Sequence, residues 1–165
     1  MIEFYVDGSC RKNPGPGGFG VVCINCDKII YKYSEYCNET TNNREEMKAI
    51  LHVFELIIKE DLKDVIIYSD SAYCVNMIND WIWKWSSNNW QNSKKVTVEN
   101  LDLVLELYKN LITDFFPCQV KKTNGHCGIA ANELADALAT NNKIKYVKIL
   151  KEHGLEEAPI DIFKN

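Results

Sequence analysis

Apolar residues alternate at the start of the chain, with Ile2, Phe4 and Val6 spaced by two. That period predicts a half-buried strand over residues 2–6. Two further strands, over 19–25 and 29–36, follow closely enough to form a meander. The period then changes. Met47, Ile50, Leu51, Phe54, Ile57 and Ile58 recur at helical spacing and predict an amphipathic helix over 44–59, capped by Asn42 or Asn43. A strand over 65–69, a short helix over 72–79, a tryptophan-rich section over 81–90, a helix over 98–111, a strand over 115–121 and a helix over 129–141 complete the order. A meander followed by alternating helix and strand predicts an α/β fold, one mixed sheet with helices packed on its faces. For the last 23 positions, 143–165, three readings stay open: an extension of the last helix, an added strand, or a docking segment.

Two acids interrupt this pattern at corresponding places. Asp7 follows the first alternation, and Asp70 follows the apolar run of "DVIIYSD". A carboxylate at the end of a buried strand is costly unless a cation meets it. After Asp7 the stretch 13–20 holds two prolines and four glycines, which reads as a turn into the second strand with backbone open to close approach. On the first helix Glu46 projects near the edge of the apolar stripe, and Glu45 points roughly to the opposite side. If the two strand ends lie side by side, Glu46 brings a third carboxylate to them. Such convergence needs cations, and hard oxygen ligands suit Mg²⁺ or Mn²⁺. Two such ions about 4 Å apart activate a water and neutralise a leaving oxygen, which points to phosphodiester hydrolysis. For each acid taken singly, an ordinary strand-end or capping carboxylate is the alternative.

Composition narrows the picture. At 165 residues, 46% of them hydrophobic and 25% charged, the chain reads as one globular, soluble domain with a substantial core. It contains no apolar run long enough to cross a bilayer, and "MIEFYVDG" has no basic lead or cleavage signal, so a cytoplasmic location is expected. Seven irregularly spaced cysteines do not form a secreted disulfide framework. Cys23 and Cys26 have half of a zinc-site spacing, but there is no second pair. A formal net charge of −4 argues weakly against a dedicated nucleic-acid binder. Clustered carboxylates neutralised by metal would produce the same balance.

The blocks "VDGSCRKNPGPGGFG", "TTNNREEMKAI", "YSDSAY" and "NGHCGIAANELADALA", in this order and at these separations, resemble type 1 ribonuclease H of the bacterial and viral kind over residues 2–142. The resemblance implies a five-stranded mixed sheet, an antiparallel meander plus parallel strands, flanked by helices. It implies a catalytic domain over 1–142, with 143–165 as an extension packed on or continuing it. The activity implied is endonucleolytic hydrolysis of the RNA strand of an RNA·DNA hybrid by a two-metal-ion mechanism, leaving 5′-phosphate and 3′-hydroxyl ends. Two Mg²⁺ ions, replaceable by Mn²⁺, would serve each site, and a monomer is expected.

Matched residue by residue, the resemblance makes Asp7, Glu46, Asp70 and Asp136 the metal-binding acids and His126 the mobile histidine that assists proton transfer or product departure. Periodicity alone leaves Asp136 a solvated acid, because Leu134, Ala135 and Leu138 define the buried side of its helix. By the same resemblance Cys10, Asn13, Thr41, Asn42, Asn43 and Ser71 line the hybrid path, where 2′-hydroxyls are read across a shallow minor groove. Ala72 departs from the glutamine common at its place, which removes one minor-groove contact. The segment "WIWKWSSNNWQNSKK" corresponds to the family's basic handle. It keeps Lys84, Lys94 and Lys95 around an uncharged middle, so weaker hybrid binding is expected. Trp81 and Trp85 either stack on substrate or anchor the handle. His52 and His153 receive no role. Two other readings remain at this point: a hybrid-binding module with idle chemistry, which has no need of four acids and a histidine, and a strand transferase of the same fold, which usually carries further DNA-binding domains.

Overall fold

The computed structural model describes residues 1–113, 116–123 and 129–158. Three antiparallel strands come first, β1 (Ile2–Cys10), β2 (Gly15–Asn25) and β3 (Lys28–Thr40). Helix α1 (Asn42–Lys59) leads to β4 (Val65–Ser69). A continuous helical stretch follows, made of α2 (Ala72–Asn76), a π-helical turn (Met77–Trp81) and α3 (Ile82–Ser86). Then come α4 (Leu101–Leu111), β5 (Cys118–Lys122), α5 (Ile129–Ala139), α6 (Lys143–Glu152) and β6 (Glu156–Glu157). The strands form one mixed sheet in the order β5-β4-β1-β2-β3-β6.

The sheet therefore has six strands where five are expected, because residues 156–157 add a two-residue edge parallel to the start of β3. The tail supplies both a helix and a strand. It is held by packing: Tyr146 and Ile149 of α6 and Leu155 join Val22, Ile29, Leu134, Ala135 and Ala137 in one buried cluster. The larger cluster fills the other face, where Phe4, Val6, Phe19 and Val21 meet Met47, Ile50 and Phe54 of α1 and Val104 and Leu107 of α4. Strand periodicity explains the division. Val21 and Val22 are neighbours in sequence and point to opposite layers.

Several boundaries differ from the sequence reading. Strand β1 runs on to Cys10 and β2 starts at Gly15, so Asp7 lies within a strand and not at its end, and the turn is shorter than 13–20. Helix α1 is capped by Thr41, whose Oγ1 accepts from Arg44 N at 3.2 Å, rather than by Asn42 or Asn43. Helix α4 begins at Leu101 because Val98 N donates to Trp90 O, tying 98 to the loop before it. Ile58 of the predicted stripe is 58% exposed near the end of α1. Cys23 is a buried core residue, while Cys26 sits exposed in the following turn at positive φ, so the two do not face one site.

Candidate active site

Register brings the first two acids together. Strands β1 and β4 run parallel with Val6 opposite Ser69. Asp7 and Asp70 each follow the last paired residue and so stand side by side. Beyond that point β1 continues alone on its β4 side, which leaves room for a third group. Gly8 faces α1, and its N–H donates to the Glu46 carboxylate. A Cβ at residue 8 would strike the backbone of Glu45 and Glu46, so glycine is what lets the first turn of α1 lie against the strand. Carboxylate oxygens of Asp7, Glu46 and Asp70 all lie within 4.8 Å of one another.

The fourth acid arrives from the opposite face. Gly20 pairs with Asp7 across β1 and β2, and a Cβ there would strike the backbone of Ala135 and Ala139. Helix α5 can therefore settle on the strand pair at that point. This places Asp136 within side-chain hydrogen-bond reach of Asp7. Oδ2 of Asp136 accepts from Lys145 Nζ at 2.5 Å. Helical periodicity could not have found this acid, because Asp136 is only partly buried and its relevance depends on which strand lies beneath it.

Electrostatics make the cluster unstable as a set of bare anions. Asp7 is 7% exposed and Glu46 8%. Burial, then Glu46, the hydrogen bond with Asp136, and Asp70 hold the Asp7 carboxyl well above the usual carboxylate range. Burial first, then Asp70, lifts Glu46 as well, partly offset by the Gly8 N–H. Glu46 Oε2 is buried without a hydrogen-bond partner, a costly state for an acceptor. An all-oxygen donor set with an unsatisfied buried acceptor fits a hard divalent cation of the Mg²⁺ or Mn²⁺ type, held by Asp7, Glu46 and Asp70.

Glu45 departs from the sequence reading. It is 1% exposed instead of facing away from the core, because the first turn of α1 lies tight against β1 at Gly8. Its partner is Lys48, at 3.5 Å.

Six of the expected substrate-facing residues lie at the end of β1, in the glycine-rich turn and at the starts of α1 and α2. Asn13 Oδ1 accepts from Asn42 N at 3.0 Å, joining the glycine-rich turn to the start of α1. Thr41 spends its hydroxyl oxygen on the helix cap, and Ser71 does the same for α2 by accepting from Cys74 N at 3.1 Å. Cys10 Sγ lies 3.3 Å from Thr40 O and 3.4 Å from Gly15 O. Asn42 is exposed and Asn43 half-buried in the first turn of α1. Trp81 and Trp85 sit in the helical stretch after β4. They pack against the larger core, with ring centroids 6.1 Å from each other, and Trp81 also meets Tyr73 at 5.4 Å. His126 lies outside the described residues. His52 meets the Tyr31 hydroxyl at 2.6 Å and stacks on Tyr33, and His153 forms the C-cap of α6.

The sequence model of the family described as RNase H matches residues 1–144. The chain is 41% identical over 151 residues to a ribonuclease H of Caldanaerobacter subterraneus subsp. tengcongensis, covering 90% of this chain and 94% of that one. It is 40% identical over 154 residues to a ribonuclease H of Orientia tsutsugamushi, covering 92% and 88%. Among solved structures it is similar to LC11-RNase H1 in complex with RNA/DNA hybrid, with a TM-score of 0.62 and 24% identity over 89% of this chain and 99% of that one.

Proposed function

The chain belongs to the RNase H family, and from that premise we propose that it is a metal-dependent endoribonuclease that hydrolyses the RNA strand of RNA·DNA hybrids. The observation that carries the reading is the grouping of Asp7, Glu46 and Asp70 within 4.8 Å around a buried, unpartnered Glu46 oxygen. A hybrid is the matching substrate because relatives of nearly the same length are ribonucleases H, and LC11-RNase H1, of the same fold, was solved with one.

In this reading Asp7, Glu46, Asp70 and Asp136 hold two cations, with Mg²⁺ the working ion and Mn²⁺ a substitute. When bound, such a pair supplies a more acidic water and neutralises the leaving oxygen, giving a 5′-phosphate and a 3′-hydroxyl. The protein's own groups do the rest. Asp7 lies between both parts of the cluster and orients them, Asp70 holds its carboxylate on the open side, and Glu46 is anchored by the Gly8 N–H. His126 assists proton transfer or product departure. Asn13, Asn42 and Asn43 donate to the backbone and minor groove, joined by Cys10, Thr41 and Ser71, while Trp81 and Trp85 stiffen the handle that receives the DNA strand. Residues 1–142 form the catalytic unit with 143–165 as its extension, of which the described part packs on it through Tyr146, Ile149 and Leu155. The working form is a monomer in the cytoplasm, a location supported by the six free thiols among the described residues. None of the described helices is long and apolar enough to cross a membrane.

The test is cleavage of a labelled RNA·DNA hybrid beside matched RNA·RNA and DNA·DNA duplexes, with Mg²⁺, Mn²⁺ or chelator, for the parent and Asp70→Asn. Metal-dependent cutting of the hybrid's RNA strand alone, lost in the variant, is the expected result. Hybrid binding without cutting in either metal would overturn the proposal.

A further inference from the structure

One cation of the protein's own already occupies the edge of the acid cluster. Among the described residues, the compact group is Asp7, Glu46 and Asp70. Asp136 meets Asp7 but stands outside that trio, with Oδ2 held at 2.5 Å by Lys145 Nζ. Lys145 is no free surface lysine. Its own N–H donates to Asn142 Oδ1 at 3.0 Å in the cap of α6, and the next residue, Tyr146, is buried with Ile149 against α5. Both partners are only 38–39% exposed at the side chain. Helix α6 therefore delivers a fixed positive charge to the one acid that the compact group does not include.

We propose that Lys145 is a built-in competitor for the cation site at Asp136. Its ammonium group takes the charge position that a divalent ion would use, so the protein binds one cation tightly through Asp7, Glu46 and Asp70. The second binds only by drawing Asp136 away from Lys145. This rests on the assignment of Asp136 as a metal ligand. The two cation sites are thereby unequal, and the tail sets the metal concentration at which the cluster fills.

The experiment is Mn²⁺ binding to the full chain without substrate, followed by calorimetry and by the electron paramagnetic resonance signal of free Mn²⁺. Parent, Lys145→Met, Lys145→Arg and Asp136→Asn are compared. Lys145→Met keeps the aliphatic stem and removes the charge. It is expected to tighten the weaker class about 2- to 5-fold, the scale of a half-exposed ion pair, and to leave the tighter class unchanged. Lys145→Arg should behave as the parent, and Asp136→Asn should weaken the weaker class. If Lys145→Met weakens that class or leaves it unchanged while Asp136→Asn weakens it, the competitor role is wrong and the ligand assignment stands. If Asp136→Asn leaves both classes as in the parent, the assignment itself fails and the inference falls with it. Thermal melting in chelator checks that each variant is folded, and Lys145→Gln carries the same expectation should Lys145→Met not fold.

Discussion

Gly8 lies directly against the backbone of Glu46, closer than any side chain at residue 8 would permit, and its N–H donates to the same residue's carboxylate. One residue thus sets both the distance of α1 from β1 and the direction of the acid it carries. Gly8→Ala should push the first turn of α1 outward, costing about 1–3 kcal/mol as overpacking, and should weaken Mn²⁺ binding. Urea unfolding and an Mn²⁺ titration measure the two effects. A variant matching the parent in both would show that the close approach does not control the site.

The buried acids give a pH dependence of definite sign. Folding raises the Asp7 and Glu46 pKa values, so the native protein binds more protons than the unfolded chain above the ordinary carboxylate range. Stability of the metal-free protein must then fall as pH rises from that range through neutrality. In chelator, melting near pH 8 should come at lower temperature than near pH 5.5. Asp7→Asn should flatten that dependence and stabilise the metal-free form near pH 8 by at least ~1 kcal/mol. Added Mg²⁺ should restore the parent and help the variant less. A metal-free parent whose stability rises over this interval would contradict the burial argument.

Arg44 makes a two-pronged ion pair with Asp102, at 2.9 and 2.8 Å, and a further bond to Asn100 Oδ1 at 3.2 Å. It ties the first turn of α1 to that of α4, and holds the Asp102 carboxyl down at about 2. A depressed acid contributes stability above its unfolded pKa and loses it as pH falls toward the folded value. Asp102 is 64% exposed, so solvent screening limits the pair. A double-mutant cycle of Arg44→Ala and Asp102→Ala should give a coupling of about 0.5–1 kcal/mol at neutral pH, shrinking below about pH 4. A coupling indistinguishable from zero at neutral pH would remove the strut.

The handle bears on substrate affinity. Lys84 is already paired with Asp80 at 3.2 Å, which leaves Lys94 and Lys95 as its remaining lysines. With each neutralised phosphate contributing on the order of 0.9 to the log–log salt slope, the two remaining lysines should add no more than about 2. Hybrid binding by an Asp70→Asn variant, measured across a salt series, gives the slope. Replacing Ser86 and Ser87 by lysine should tighten binding at low salt and steepen it, and an unchanged slope would place the DNA strand elsewhere.

The element order could be read along the chain because period-two and helical spacings are local properties. The strand Val65–Ser69 is legible to the residue, since a short apolar run bounded by acids admits little else. The boundaries that moved are those decided from outside the element. Asp7 reads as a strand end only if one ignores that β2 pairs with Ser9 and Cys10. Glu45 reads as solvent-facing only if the close approach of β1 at Gly8 to the first turn of α1 is left out.

The acids divide in the same way. Their residue types and positions beside apolar runs are written in the chain, which is enough to suspect a metal site at Asp7, Glu46 and Asp70. Their meeting is not, because it requires the parallel register of Val6 with Ser69 and the close approach at Gly8. Asp136 and Lys145 lie further still from local reading. Burial and pairing are relations between elements distant in sequence, and a periodicity along one helix carries no information about which strand lies beneath it or which helix packs beside it.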